Sequence, residues 1–401
     1  KRDEAKACTG AERQVLLNEA KTADFEESVW DGTQLSVKLL MNSLYGFFGA
    51  AKVGKLPHVP IAMVITYMGR EMLHQTQKYI ICKYGAFDSF PSVDKRTEDQ
   101  VRDLCKTSTL EVLKTAARGV HIVYGDTDSV FTKWTVPEEA KGDQQATLKW
   151  AFQRAEHAAA TTTEFLRETL CPGDAESKKA VELEFEKSLY PIVCYSKKRY
   201  AFLKFTDLDK PGKIGAMGLQ LVRRDLCSAS TSLMWDTITA ILRDRDVSCA
   251  QELVTSTLDA ICTRDVPINA LSCNKTLRHH YESTQPAHAN VAQARRNRGE
   301  DVVDGDRVDY IFIVQEGRIQ SERAEDPKYV EENRIPIDYA AIVEKQFKKP
   351  VCDLLRPVLP ELSRTFDKYI ARMRAMQRPE ERKVEQRSKR MRPITDWLVP
   401  S

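Results

Sequence analysis

The pattern of apolar and polar positions predicts that the chain begins with helices. Residues 1–30 are charged and favour helix, and a second helix is expected from Gln34 to about Phe48. Between them Asp31-Gly32 indicates a turn, so the two helices are predicted to run antiparallel. Residues 59–83 predict another long helix.

The middle of the chain combines short strands with helix. Residues 85–118 are polar and predict an irregular surface insertion. Val120–Tyr124 and Ser129–Phe131 predict short strands on either side of a tight turn. An Ala-rich helix is expected over residues 146–170, and residues 181–205 return to the alternation that is typical of strands.

The last part is predicted to be mainly helical from about residue 228 to residue 375, with a short strand near Tyr310–Val314. Residues 377–392 are dense in Arg and Lys and predict a flexible segment. A chain of 401 residues is too long for one hydrophobic core, so two or three subdomains are expected. The fold class that these elements indicate is α+β.

The composition is that of an ordinary soluble globular protein, with 42% hydrophobic and 30% charged residues. A net charge of +3 excludes a uniformly basic protein, but a basic groove can be balanced by acidic surface elsewhere. The 10 cysteines include no CxxC pair, which argues against zinc fingers and fits a reducing compartment. No apolar run suits a membrane span and no signal peptide is recognisable. The chain begins at Lys1, so we expect a piece of a longer protein.

The string Tyr124-Gly-Asp-Thr-Asp-Ser129 carries the most distinctive chemistry. Asp126 and Asp128 are two residues apart, so on extended backbone they project to the same side, and Gly125 permits a tight turn. Two carboxylates on a rigid hairpin suit Mg²⁺, which prefers oxygen ligands and keeps room for phosphate oxygens. The alternative is a solvated turn, which Asp and Gly also favour.

A second group of polar residues lies on the predicted helix before residue 50. Lys38, Asn42 and Tyr45 fall on one helical face and are followed by Gly46. An ammonium and an amide can hold a triphosphate, and an aromatic ring beside a glycine offers a flat surface to a base pair. The alternative is an amphipathic core helix.

Two basic residues near the start of the chain can extend this group. Arg2 and Lys6 are four residues apart, so they share one face of the first predicted helix. Facing Lys38 and Asn42 they would complete a phosphate clamp. Taken without that context, a solvated charged face is the better interpretation.

These two motifs resemble those of family B DNA polymerases. Lys38 with LLMNSLYGFFG is similar to the family's KxxxNSxYG finger motif, and YGDTDS is similar to its second aspartate motif. The resemblance implies a right-hand fold with helical-hairpin fingers (1–50), an antiparallel-sheet palm (51–227), a mainly helical thumb (228–375) and a basic flexible tail (376–401). It implies template-directed addition of deoxynucleotides to a primer 3′-hydroxyl in DNA replication.

Further downstream, Val181–Lys187 alternates so that Glu182, Glu184 and Glu186 share one face. By itself this is a solvated edge strand. The segment resembles the family's LEFEK-like strand beside the metal aspartates, and the resemblance makes Glu186 an auxiliary metal residue.

Two basic motifs follow. Lys197, Lys198, Arg199 and Tyr200 resemble the family's KKRY motif, which contacts the primer–template duplex, although an ordinary basic strand end is the alternative. Arg223 and Arg224 belong to GLQLVRRD, which resembles the segment that leads into the thumb. Both arginines are candidates for contacts with the DNA backbone or for a structural salt-bridged pair.

The resemblance also implies cofactors, partners and a location. Two Mg²⁺ ions are expected, with Mn²⁺ as a possible substitute, and the substrates are primer–template DNA and deoxynucleoside triphosphates. The thumb is similar to those of delta-type and herpesvirus-like enzymes, and the missing cysteine-rich tail favours a viral source, which implies the nucleus or a host nucleus. The family's first palm motif and its exonuclease domain are absent from these 401 residues, and the palm motif is expected upstream.

The last ten residues suggest a partner. Ile394, Trp397 and Leu398 are apolar anchors at helical spacing in a polar stretch, and they resemble peptides that bind a sliding clamp, although Met391 replaces the usual glutamine. The alternative is that Trp397 folds back onto the thumb.

Two other functions compete with polymerisation. A polymerase-like scaffold without activity would not need Asp126, Asp128 and Lys38. Another two-metal phosphoryl enzyme, such as a nuclease, would not need a triphosphate-clamp helix.

Overall fold

The structure is a computed structural model that describes residues 11–52, 54–55, 57–88, 92–170, 173, 175–223, 225–281, 286–315 and 319–391. The chain divides into two compact units, Lys1–Phe185 and Glu186–Ser401. Helices are combined with small antiparallel sheets, which fits the predicted α+β class.

The first unit is mainly helical and contains one β-hairpin. Its elements are α1 (Ala11–Gly49), α2 (Val59–Tyr84), α3 (Glu98–Thr107), α4 (Leu110–Ala116), β1 (Val120–Asp126), β2 (Ser129–Trp134), α5 (Gln144–Leu170) and α6 (Ala175–Lys179).

The second unit combines two small sheets with a helical remainder. Its elements are β3 (Ser188–Ser196), β4 (Arg199–Phe205), β5 (Lys213–Met217), α7 (Ser228–Thr239), α8 (Val247–Cys262), α9 (Ile268–Leu271), β6 (Cys273–Thr276), α10 (Ala287–Asn297), β7 (Arg307–Phe312), β8 (Ala324–Glu325), α11 (Pro327–Glu332), α12 (Tyr339–Ile342), α13 (Lys349–Leu355) and α14 (Leu362–Met391).

The predicted turn at Asp31-Gly32 is wrong, because α1 continues through it. Glycine inside a helix costs only about 1 kcal/mol relative to alanine, which a long helix can absorb. The polar side chains beside it are satisfied within the helix, since Thr33 Oγ1 donates to the Val29 carbonyl at 2.8 Å and Ser36 Oγ to that of Gly32 at 2.8 Å. The predicted pair of antiparallel helices before residue 50 is thus one continuous helix, and α2 packs against it.

The segment 85–118, predicted as an irregular surface insertion, is instead largely helical and packed. Thr97 begins α3 with a capping box that it forms with Gln100. Val101 and Cys105 of α3, and Leu113 of α4, are buried in a hydrophobic cluster with α2. The few apolar residues of this segment recur at helical spacing and face the hydrophobic cluster. They therefore determine the structure of the segment although most of its residues are polar.

The core of the first unit lies where α2 meets α5. Tyr79 is 1% exposed and stacks on Phe165, with ring centroids 4.5 Å apart. Both the helix predicted over residues 59–83 and the Ala-rich helix predicted over residues 146–170 are confirmed as α2 and α5.

Residues 181–187, before β3, join no sheet of the described residues. The predicted strand character is therefore confirmed only from Ser188 onward. Side chains of α5 take the backbone groups that a neighbouring strand would use: Thr163 Oγ1 accepts from the Leu183 amide at 2.9 Å, and Arg167 donates to the Val181 carbonyl at 2.7 Å.

The core of the second unit is one large cluster of buried side chains, and it includes β7, as predicted near Tyr310. Ser230 Oγ of α7 donates to the Gln346 carbonyl at 2.6 Å, and the Tyr195 hydroxyl of β3 donates to the Leu354 carbonyl at 2.7 Å. These bonds connect the β3–β4–β5 sheet and α7 to the helices near residue 350.

The basic stretch predicted to be flexible is helical up to Met391, because it continues α14. Phe366, Ile370 and Met373 bury one face of this helix. The Gln377 side chain then accepts from the Ala340 amide and donates to Asp338 Oδ1, both at 3.0 Å. These anchors hold the helix ahead of Pro379.

Across the described residues, no helix combines the length and the apolar character that a bilayer span requires.

Candidate functional site

The acidic motif forms the tip of the β1–β2 hairpin, as predicted. Asp126 pairs with Ser129 in the antiparallel register, which leaves Thr127 and Asp128 as the two turn residues. The turn is tight: the Asp128 amide donates to the Asp126 carbonyl at 2.6 Å, and Ser129 Oγ donates to the same carbonyl at 3.2 Å. Thr127 takes φ 50°, in the left-handed region.

A helix packs closely behind this tip. Gln77 of α2 is 8% exposed, and a Cβ added at Gly125 would lie 2.7 Å from its Nε2. Gly125 itself lies in β1, where it pairs with Val130, so the close approach of the Gln77 side chain, and not the turn, favours glycine at this position. Sequence reasoning did not find Gln77, and its only signal was an amide in the apolar half of α2.

The two aspartates differ in exposure. Asp126 is half-buried and Asp128 is exposed. Carboxylate oxygens suit a hard divalent cation such as Mg²⁺, and an exposed turn leaves positions open for other oxygen ligands. The chain as described contains no group of three or more His, Cys, Asp or Glu residues placed to hold a metal. Asp126 and Asp128 thus fit part of a cation's first shell.

The predicted basic face lies on α1. Lys38, Asn42, Tyr45 and Gly46 are all exposed, and a Cβ added at Gly46 would meet nothing within 4 Å. This face is open to a ligand, which disfavours the alternative of a core helix. Because α2 packs against both α1 and β1, the basic face and the acidic turn belong to elements joined by one helix.

Two of the predicted clamp residues, Arg2 and Lys6, lie outside the described residues. The same is true of Arg224 and of the tail anchors Ile394, Trp397 and Leu398.

Glu186 begins the second unit. It is exposed and forms a salt bridge with Lys187, in which Glu186 Oε1 and Lys187 Nζ are 2.6 Å apart. Glu182 and Glu184 are also exposed, and they alternate with half-buried residues. The role of Glu186 as an auxiliary metal residue stays a prediction.

The KKRY motif forms a second exposed turn. Lys197 and Lys198 link β3 to β4, where Ser196 pairs with Arg199. Lys198 takes φ 61°. A Cβ added at Gly218 would lie 2.1 Å from the Lys198 carbonyl oxygen, so only glycine fits at position 218. Tyr200 is half-buried at the start of β4. The basic side chains are thus presented at the two-residue turn of a paired hairpin.

Arg223 is exposed and lines a cavity in the second unit together with Lys275, Lys345 and Lys349. The sequence alone did not predict this cluster. The residues are far apart in the chain, so no local pattern could bring them together.

Comparisons with known proteins agree with these motifs. The sequence profile described as DNA polymerase family B matches residues 11–358. The DNA polymerase of Paramecium bursaria Chlorella virus NY2A is 32% identical over 351 residues, which cover 86% of this chain and 33% of that protein. The DNA polymerase delta catalytic subunit of Oryza sativa subsp. japonica is 33% identical over 353 residues, which cover 87% of this chain and 28% of that protein.

One solved structure is also similar. The family B DNA polymerase of the hyperthermophilic archaeon Pyrobaculum calidifontis aligns with a TM-score of 0.47 at 20% identity, covering 89% of this chain and 36% of that one. The chain spans about a third of the length of the curated relatives it matches. Since the profile covers most of the chain and includes both motifs, the chain belongs to DNA polymerase family B.

Proposed function

We propose that this chain is part of a DNA-dependent DNA polymerase, in which it supplies fingers, part of the palm and the thumb. The observation that carries the proposal is the rigid turn with Asp126 and Asp128 in a chain of this family. In this proposal α1 belongs to the fingers, residues 51–227 with the β1–β2 hairpin and the β3–β4–β5 sheet belong to the palm, and the mainly helical residues 228–375 form the thumb.

Asp126 and Asp128 would hold Mg²⁺, or Mn²⁺ in its place. The bound metal would activate the primer 3′-hydroxyl and stabilise the leaving pyrophosphate. The chain contributes the placement of the two aspartates. Gly125 lets the Gln77 side chain pack closely against the hairpin, and the strand register brings both carboxylates to the same tip.

The exposed face of α1 would bind the incoming deoxynucleoside triphosphate. Lys38 and Asn42 would donate hydrogen bonds to phosphate oxygens, and the Tyr45 ring would face the nascent base pair beside Gly46. Arg2 and Lys6 are proposed as additional phosphate contacts. Such an arrangement favours reaction by positioning and charge neutralisation.

The turn with Lys197 and Lys198 would contact the primer–template duplex, because exposed cations on a rigid hairpin can neutralise backbone phosphates. Arg199, Tyr200, Arg223 and Arg224 are proposed to take part. These contacts hold the primer end in place without reading the sequence.

One partner and a cellular location follow from the proposed role. We propose a sliding clamp bound by Ile394, Trp397 and Leu398, in a protein that acts in the nucleus or a host nucleus. The support is the spacing of these anchors in the sequence. A peptide of residues 386–401 should bind the clamp and lose this binding on Trp397→Ala, and a peptide that does not bind would contradict the proposal.

The test of the proposed function is Asp128→Asn in the protein that carries this chain. Primer extension should fall by at least about 100-fold, because several kcal/mol depend on metal placement and about 1.4 kcal/mol corresponds to tenfold in rate. Affinity for primed DNA should stay nearly unchanged.

The matched control is Asp143→Asn. Asp143 is another exposed aspartate, and its side chain accepts from the Gln145 amide at 2.9 Å, so the control removes one carboxylate away from the tip. Full extension by Asp128→Asn would refute the proposal. Loss of DNA binding together with activity would mark Asp128 as structural.

A further inference from the structure

The second unit contains a cavity of about 230 Å³ whose lining is rich in cations. Arg223, Lys275, Lys345 and Lys349 line it, and Asp225 is the acidic residue among them. They come from the turn before α7, from β6 and from the region of α13. The cluster therefore forms only when the chain folds, because its residues are far apart in the sequence.

The charges of the cavity favour an anion. Among the described residues that line the cavity, four basic side chains meet one carboxylate, so this lining carries a positive excess even if Asp225 pairs with one of them. A concave site lined by one sign of charge concentrates the opposite ion. Arg223, Lys345 and Lys349 are exposed and Lys275 is half-buried, so the cations are accessible from solvent.

An unpaired buried group gives an independent indication of a ligand. Gln346 lines the cavity and is 7% exposed, but its Oε1 has no hydrogen-bond partner among the residues that the structure covers. A buried acceptor without a donor costs free energy. A ligand hydroxyl, or a water molecule carried with the ligand, would supply the missing donor.

The size limits the ligand to a small group. Pockets for drug-sized ligands measure roughly 300–1,000 Å³, so this cavity is smaller than a site for a whole nucleotide. A guanidinium and several ammonium groups suit tetrahedral phosphate oxygens, which accept several hydrogen bonds at once.

We propose that this cavity binds a phosphate group. The phosphate can belong to the backbone of bound DNA, which would deepen the proposed function, or to free inorganic phosphate, which does not depend on that function. Either source uses the same contacts with Arg223, Lys275, Lys345 and Lys349.

Three double variants test the proposal: Lys345→Gln with Lys349→Gln, Lys345→Arg with Lys349→Arg, and Lys328→Gln with Lys368→Gln. The first removes two cations from the cavity and the second keeps them. The third is the matched control, because Lys328 and Lys368 are exposed residues of the same unit outside the cavity. All four substituted lysines are exposed, and circular dichroism of each variant is used to check that it folds.

The first measurement is calorimetric titration with inorganic phosphate, in which sodium chloride keeps the ionic strength constant. The second is the affinity for duplex DNA over a range of salt concentrations. The Gln variant of the cavity should bind phosphate at least tenfold more weakly, or lower the salt slope by about 0.9 for each lost DNA phosphate. The Arg variant and the control should behave like the wild type.

The two measurements separate the sources. Weaker phosphate binding with an unchanged DNA slope assigns the cavity to free phosphate, and a lower slope assigns it to DNA. If the Gln variant of the cavity matches the control in both measurements, the proposal is wrong. Primer extension by the wild type is scored separately, so failure of the proposed function does not mimic this result.

Discussion

At residue 125 the absence of a side chain determines how closely α2 approaches the acidic turn. We predict that Gly125→Ala destabilises the protein by about 1–3 kcal/mol, because overpacking forces the backbone or Gln77 to move. Urea unfolding measures this difference. The double variant Gly125→Ala with Gln77→Ala should recover part of the lost free energy of unfolding.

Gly69→Ala provides the control, because Gly69 also lies in the first unit and an added Cβ there would meet nothing within 4 Å. Because Gly69 lies in the middle of α2 and alanine is the better helix former, this change should stabilise the protein by up to about 1 kcal/mol. Equal effects at positions 69 and 125 would show that the contact between Gln77 and Gly125 has no energetic weight.

A second prediction at the residue scale concerns Lys38. Lys38→Ala should lower kcat/KM for the incoming nucleotide by roughly 10- to 150-fold, which corresponds to the loss of about 1.5–3 kcal/mol for a hydrogen bond to a charged group. Lys21→Ala, another exposed lysine of α1, should have little effect. Unchanged nucleotide dependence in single-turnover assays would remove Lys38 from the proposed site.

At the scale of elements, the course of α1 through Gly32 can be tested by one substitution. Gly32→Ala should stabilise the protein by up to about 1 kcal/mol, because alanine is the better helix former and an added Cβ would meet nothing within 4 Å. The midpoint of urea unfolding should therefore rise. A turn with glycine in the left-handed region would give the opposite sign, since alanine is strained there.

The elements that sequence reasoning predicted best have strong local patterns. The β1–β2 hairpin, α2 and α5 follow from residues that are close in the chain. The errors share one physical cause, which is that local polarity was weighted above packing. Asp31-Gly32 indicates a turn only when no long helix absorbs it, and α3 is polar apart from the few residues that it buries, among them Val101 and Cys105.

At the scale of the whole molecule, the two units have separate hydrophobic cores. The cluster around Phe347 contains residues of the second unit, and the cluster around Tyr79 contains residues of the first. Phe347→Ala should cost about 3–5 kcal/mol, because it opens a cavity at a fully buried position. Hydrogen exchange should then become faster in the second unit and stay unchanged at the amide of Tyr79.

The reciprocal variant is Phe165→Ala, which removes the ring that stacks on Tyr79. Exchange should become faster in the first unit and not at the amide of Phe347. If both variants accelerate exchange in both units by the same factor, the two cores unfold as one.

Long-range placement also explains why the candidate sites were only partly predictable. Asp126, Asp128, Lys197 and Lys198 lie at or beside hairpin turns that a short window of sequence defines. The cavity near Gln346 depends on residues more than a hundred positions apart, which no local period reveals. Sequence motifs therefore indicate the acidic turn, whereas the fold alone reveals the cationic cavity.

The left-handed backbone at Thr127 has a consequence for protein engineering. A β-branched residue at φ 50° costs about 1–2 kcal/mol relative to an ordinary conformation, whereas glycine tolerates it. A screen for heat resistance alone should therefore select Gly at position 127. A screen that also selects for activity should keep Thr if its hydroxyl, or the restricted backbone at the tip, contributes to catalysis. The difference between the two screens would show how much thermal stability position 127 of this protein loses for activity.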